Sequence, residues 1–149
     1  MTDFDHGIPQ NKYNPHAWII GNPDIGEDVY IGAFTQVESR YGKVTIGKGT
    51  NISCGVQIVT HSTVKRCISE RKYKEVDHAD VTIGNYCFIG LNAVILMGAK
   101  IGHHSVIGAG CVITEHMSIP PYSIVAGVPA KIIGSSKKFI KNNEVRSTK

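Results

Sequence analysis

The chain is poor in leucine. Its 149 residues include 2 Leu against 20 Ile and 14 Val, whereas helical domains lean on Leu and Ala and strands favour β-branched side chains. That imbalance excludes a helical bundle and points to an all-β chain. Long hydrophobic runs are missing too: no stretch approaches the roughly 18 apolar residues that span a bilayer. The start Met1-Thr2-Asp3-Phe4-Asp5 is polar and acidic rather than a signal peptide. A cytoplasmic protein with no membrane partner is expected. Cysteine is sparse, and Cys54, Cys67, Cys87 and Cys111 form no CxxC pair, so neither a disulfide framework nor a zinc site is suggested. Aromatic residues make up 7% and the net charge is +4, without the interleaving of basic and aromatic residues that nucleic-acid binding uses. The excess charge sits at one end, where Lys131 to Lys149 holds six basic residues against Glu144, a distribution better suited to holding a phosphorylated ligand.

What the chain does have is a period. From Ile83 a β-branched aliphatic returns every sixth position, through Ile89, Ile95, Ile101, Ile107, Ile113 and Ile119 to Val125. Such self-similarity marks a repeat architecture. Because strand side chains alternate between faces, the residue two before each aliphatic also points inward. Those residues are small (Cys87, Ala93, Ala99, Ser105, Cys111, Ser123), with Met117 the one large exception. Gly84, Gly90, Gly102 and Gly108 follow the aliphatics and are expected to turn tight corners, where a residue without Cβ has least strain. The same register runs upstream through Ile19, Ile25, Ile31 and Val37, slips by three residues at Tyr41-Gly42-Lys43, and resumes at Ile46, Ile52 and Ile58.

Six-residue sides give a triangular coil of eighteen residues, each coil stacking on the last at about 4.8 Å. The chain supplies nearly five coils as a single domain spanning 1–149. It divides into an N-terminal segment (1–18), a first repeat block (19–58), a charged loop that must protrude (59–80), a second block (81–131) and a basic tail (132–149). Handedness does not follow from the period, since the general rule for parallel crossovers favours the right hand. Reading the outward residues at a spacing of eighteen stacks Phe88, Val106 and Ile124 on one face, Val94, Val112 and Ala130 on another, and Lys100 with Ser118 on the third. Two apolar outer faces on a slender prism predict burial against copies of itself in a closed homotrimer.

The stretch Val81-Thr-Ile-Gly-Asn-Tyr-Cys-Phe-Ile-Gly90, followed by Ile107-Gly-Ala-Gly-Cys-Val-Ile-Thr114 and Ala126-Gly-Val-Pro-Ala-Lys131, resembles the coenzyme-binding end of the hexapeptide-repeat acyltransferases. Within them it looks like the galactoside, maltose and xenobiotic acetyltransferase branch. The likeness covers roughly residues 19 to 134, and Thr60-His61 stands where the family's coil gives way to a protruding loop. This resemblance implies a left-handed parallel β-helix solenoid with acetyl-CoA as cosubstrate and no metal. It implies His61 as the catalytic base, with Phe88 flanking the coenzyme arm, Leu91, Ala109 and Thr114 in contact with it, and Lys131 near the phosphates. Relatives often carry Trp at the position of Phe88. Galactoside-type relatives show an Asn six before His61 where this chain has Gly55.

Acetyl transfer from a thioester to an alcohol or amine needs a base, because a neutral hydroxyl is a poor nucleophile, and a histidine suits that task near neutral pH. His61 follows the last core aliphatic of a block, at the root of the one long loop. His78 returns on the far arm of that loop. His103 and His104 read as exposed turn residues, and His6, His16 and His116 carry no pattern. A covalent route through Cys67 beside Lys65 and Arg66 is the chemical rival, while Cys87 and Cys111 look structural. The preferred acceptor is a saccharide or sugar nucleotide acylated on oxygen. Acylation of a nucleotide-linked amino sugar and a non-catalytic scaffold subunit are the alternatives. A metal hydrase of the γ-carbonic-anhydrase type would need two histidines five apart, and no pair here has that spacing.

Overall fold

The computed structural model describes residues 7–144; His6, the acidic start, and Arg146 and Lys149 of the basic tail lie outside them. Three parallel sheets form the sides of a triangular prism. The first face stacks Trp18–Gly21, Gln36–Ser39, Gln57–Ile58, Val94–Ile95 and Val112–Ile113. The second stacks Asp24–Ile25, Val44–Ile46, Val81–Ile83, Lys100–Ile101 and Ser118–Ile119, and the third Tyr30–Ile31, Asn51–Ile52, Phe88–Ile89, Val106–Ile107 and Ser123–Ala126. Five rungs on each side make five coils of a parallel β-helix, as the six-residue period predicts.

The core is the column of period-six aliphatics. Ile31, Val37, Ile46, Ile52, Ile58, Ile83, Ile89, Ile95, Ile107, Ile113 and Val125 are all essentially inaccessible, and each such side chain contributes about 1.5–3 kcal/mol by leaving water. The small inward positions are equally buried, including Cys87, Ala93, Ala99, Ser105 and Cys111. Three of the polar ones bond to the next coil: Thr35 Oγ1 donates to Ser53 O at 3.0 Å, Thr50 Oγ1 to Gly84 O at 2.8 Å and Ser105 Oγ to Pro120 O at 3.1 Å. The Cys87 thiol donates to Gly102 O at 3.2 Å, and burial raises its pKa and that of Cys111, so both are structural.

The glycines after the core aliphatics work differently from the sequence expectation. Gly84, Gly90, Gly102 and Gly108 are not in the left-handed region. At Gly90 a Cβ would sit 2.6 Å from Ala109 N, so the absent side chain permits backbone to approach backbone between coils. The left-handed turn falls two residues later, at the third position after the aliphatic. Asp28, Phe34, Tyr86, Asn92, His104, His116 and Tyr122 all stand there with positive φ, as do Gly49, Gly55, Gly98 and Gly110.

The stacked outer residues pair as read for Phe88 with Val106 and Val106 with Ile124, Val94 with Val112, and Lys100 with Ser118, whereas Ala130, expected to continue the outer line of Val94 and Val112, is buried with the core, its N–H bonding Val112 O. Residues 132–135 are not a loose tail. Lys131–Ser135 forms an antiparallel strand on Ser123–Ala126, followed by the helix Lys137–Glu144. Ser136 anchors this turn, its N–H donating to Tyr122 O at 2.9 Å and its hydroxyl bonding His104 O. His104 is accordingly half-buried in a ring cluster with Tyr86, His103 and Tyr122 rather than a free turn residue. Among the described residues no helix is long and apolar enough to cross a membrane.

The glycine distinction is testable by denaturant unfolding. Gly90→Ala is expected to cost about 2 kcal/mol or more, within the range of severe packing changes. Gly110→Asn, whose Cβ would meet nothing within 4 Å and whose side chain tolerates positive φ, should stay within about 0.5 kcal/mol. Equal losses would contradict the stacking account.

Candidate active site

The two irregularities in the repeat lie against each other. After Val37 the chain takes three extra residues before Ile46, and this slip is braced by Ser39, whose Oγ accepts from Val44 N at 2.9 Å and donates to Gly42 O at 3.2 Å. One coil on, the chain leaves the prism after Ile58. The root of that excursion bonds to the slip: Gly42 N donates to Thr60 Oγ1 at 3.0 Å, Lys43 N to Asp80 Oδ1 at 2.8 Å and Val81 N to Lys43 O at 3.0 Å. The excursion is itself ordered. His61–Ser62 pairs antiparallel with Asp77–His78, and the short helix Val64–Ile68 lies between them. Beyond it Asp77 accepts from Tyr73 Oη at 2.7 Å and meets Lys65 Nζ at 3.2 Å, contacts too exposed to contribute much stability.

This interlock places a carboxylate against the predicted base. Glu38 Oε2 lies 2.8 Å from His61 Nδ1; the Glu38 side chain is 1% exposed and that of His61 28%. A buried carboxylate is costly unless hydrogen-bonded, and Glu38 accepts from Arg40 N at 2.7 Å, Thr60 Oγ1 at 3.0 Å and Thr60 N at 3.3 Å. Burial pushes the Glu38 carboxyl up, but the His61 contact and the Arg40 and Thr60 donors outweigh it, leaving the group below its ordinary 4.5 and ionised. A carboxylate only accepts, so Nδ1 of His61 carries the proton and Nε2 is left as the basic nitrogen. The Tyr41 ring packs on the imidazole at 4.4 Å between centroids, tilted by 35°.

His78 is the cross-strand partner of His61 and is exposed. Directly opposed residues of an antiparallel pair share one face at about 5 Å, so the second histidine borders the first. Glu38 is the residue the sequence did not yield. Its slot, directly after a core aliphatic, is held by Gly26, Gly32 and Gly47 in neighbouring repeats; an acid there, beside the register slip, was the available signal.

The residues expected to hold the coenzyme fall on two edges of the prism. Thr114 follows the first face two rungs beyond Val59, through the ladder Val59 N to Ile95 O and Leu96 N to Ile113 O, and so lies on the edge from which the His61 excursion departs, about 10 Å along it from Val59. Phe88 is exposed on the third face, while Leu91 and Ala109 are exposed at its edge with the first, where Gly110 N bonds Leu91 O at 2.8 Å. Lys131 is exposed at the start of the antiparallel strand. These four do not meet His61 within one chain. Cys67 is exposed on the loop helix. Among the described residues no group of three or more His, Cys, Asp or Glu side chains is arranged to hold a metal ion.

Comparison with known proteins matches residues 80–115 to a family model described as the hexapeptide repeat of succinyl-transferase. The chain is 38% identical over 113 residues to the galactoside O-acetyltransferase of Escherichia coli K12, covering 75% of this chain and 53% of that one. Among solved structures it resembles a hexapeptide-repeat acetyltransferase of Vibrio cholerae complexed with acetyl coenzyme A, with a TM-score of 0.66 and 30% identity over 76% of this chain and 60% of that one. A maltose O-acetyltransferase of Clostridium difficile 630 gives a TM-score of 0.66 at 26% identity, covering 78% of this chain and 65% of that one. The chain thus spans about half to two thirds of these relatives' length.

The Glu38 contact has a pH consequence. A carboxyl held below 4.5 in the folded state adds stability that is present above that value and is lost as pH falls through the lower, folded-state value. Unfolding measured from pH 7 downward should therefore show an acid-side loss that Glu38→Gln flattens. An identical acid limb in both proteins would contradict the assignment.

Proposed function

Because the chain belongs to the hexapeptide-repeat family that includes these acetyltransferases, we propose that it is an acetyl-CoA-dependent O-acetyltransferase acting directly on a saccharide or sugar-nucleotide acceptor. The observation that carries the proposal is the Glu38–His61 contact at 2.8 Å. It supplies what direct transfer needs: an imidazole fixed in one tautomer, half-exposed at the root of a loop, with a buried anion to stabilise its protonated form.

In the proposed reaction Nε2 of His61 accepts the proton of the acceptor hydroxyl as that oxygen attacks the thioester carbonyl. The carbonyl oxygen gains negative charge, which a backbone N–H would stabilise. Collapse breaks the carbon–sulfur bond, and the departing thiolate takes the proton back from His61, giving free coenzyme A and the acetyl ester. Glu38 acts through His61, because an ionised partner favours the imidazolium formed midway. Thr60 and Arg40 hold that carboxylate in place.

Exposed apolar Phe88 and Leu91, uncrowded Ala109 and the cation of Lys131 suit pantetheine and phosphate respectively. They stand across the first face from His61. A closed homotrimer answers that separation: one chain's third-face edge would meet the His61 edge of its neighbour, burying the stripe Phe88, Val106 and Ile124. The site is then shared between subunits.

Following thiol release from acetyl-CoA with a panel of sugars, amino sugars and sugar nucleotides tests the reading. His61→Ala is expected to lower turnover by about 10² to 10⁴, whereas full activity would overturn the mechanism. Acceptance of amino sugars alone would move the acylated atom to nitrogen, and an acetyl group trapped on Cys67 would replace direct transfer. For the assembly, Val106→Glu is expected to lower the mass in solution from trimer to monomer. An unchanged mass would remove that face from the interface.

A further inference from the structure

A cleft of about 250 Å³ opens on the N-terminal half of the first face, lined by Ile8, His16, Trp18, Phe34, Gln36 and Gln57. Its residues depart from the chemistry of the later rungs. Trp18, Gln36 and Gln57 stack in register on the outside of this face, and the apolar line expected to pack against copies, Val94 and Val112, begins only at the rung after them. Phe34 stands at a left-handed corner with φ 62° and is 73% exposed. That conformation costs a residue with a Cβ about 1–2 kcal/mol, and burial does not offset it here.

On another corner Tyr86, His104 and Tyr122 cover one another, with neighbouring centroids 5.3 and 4.9 Å apart. On the corner of Phe34 the next rung is Gly55, whose N–H bonds Ala33 O. With no side chain there, the aromatic neighbour of the Phe34 ring among the described residues is His16, at 6.2 Å between centroids. Gln57 Nε2 donates to both Phe34 O and Gly55 O at 3.3 Å, which fixes the amide and leaves Oε1 as an acceptor.

We propose that this cleft is a saccharide subsite in which a pyranose lies against the Phe34 and Trp18 rings while Gln36, Gln57 and His16 take its hydroxyls. An aromatic face is electron-rich and attracts polarised C–H groups. Amides offer both a donor and an acceptor, as each hydroxyl does. Among the described residues no lysine or arginine lines the cleft, so a sugar ring rather than a phosphate matches it. Gln57 precedes His61 by four residues of largely extended chain, about 13 Å, further than one sugar ring reaches. Resting on the saccharide reading above, the inference is that the acceptor is an oligosaccharide, with one unit in the cleft and another presented to His61.

Trp18 is the sole tryptophan of the chain, so its fluorescence reports on this cleft directly. The full chain would be titrated with galacto- and malto-oligosaccharides of increasing length, with acetyl transfer to the same sugars measured in parallel. The expected result is a saturable change in Trp18 emission, weakened at least tenfold in Phe34→Asn, which keeps a residue tolerant of positive φ, and in Gln36→Leu. Circular dichroism would establish that both variants are folded. No response to any member of the panel, or equal affinity in both variants, would overturn the subsite. Transfer to a single sugar as efficient as to longer chains would overturn the oligosaccharide acceptor. Binding without transfer would sink the enzymatic reading while leaving the cleft standing, and transfer without binding would do the reverse.

Discussion

Everything in this molecule follows from how little room a triangular coil encloses. Each side admits one aliphatic and one small residue, and neighbouring coils approach so closely that Gly90 has no space for a Cβ against Ala109 N. A prism built this way has almost no freedom to place chemistry inside itself. Its interior is filled by aliphatic and small side chains, so reactive groups have to stand where the repeat fails.

The chain fails to repeat twice, and the two failures support each other. The slip after Val37 exposes a carbonyl and amides that a regular coil would have paired within the ladder. The loop root supplies the missing partners through Thr60, Asp80 and Val81. Glu38 is the residue held between them. Its burial would be prohibitive alone, yet with donors from Arg40, Thr60 and His61 it stays ionised. The structural solution to a broken repeat is thereby also a device for fixing a histidine tautomer.

Much of this was legible from residues alone, and the reason is periodicity. The inward column, the small second position and the pairing of outer residues such as Phe88 with Val106 are local consequences of a six-residue spacing. The corner conformation was less so, because the left-handed position holds Gly49 and Asn92 but also Tyr86, His104 and Tyr122, and mixed chemistry hides a common φ. Glu38 escaped notice because it meets His61 across 23 residues, joining two irregularities that look independent in one dimension. The C-terminal strand was hidden in a segment whose lysines suggested a tail, although Ile132 and Ile133 carry strand propensity.

The role proposed for His61, oriented by Glu38, is that of the base for acetyl transfer. Its most direct test is the pH dependence of kcat/KM for transfer from acetyl-CoA, measured for the unaltered chain and for the residual activity of His61→Ala. An acid limb is expected in the first and not in the second. The same limb in both would show that another group accepts the proton.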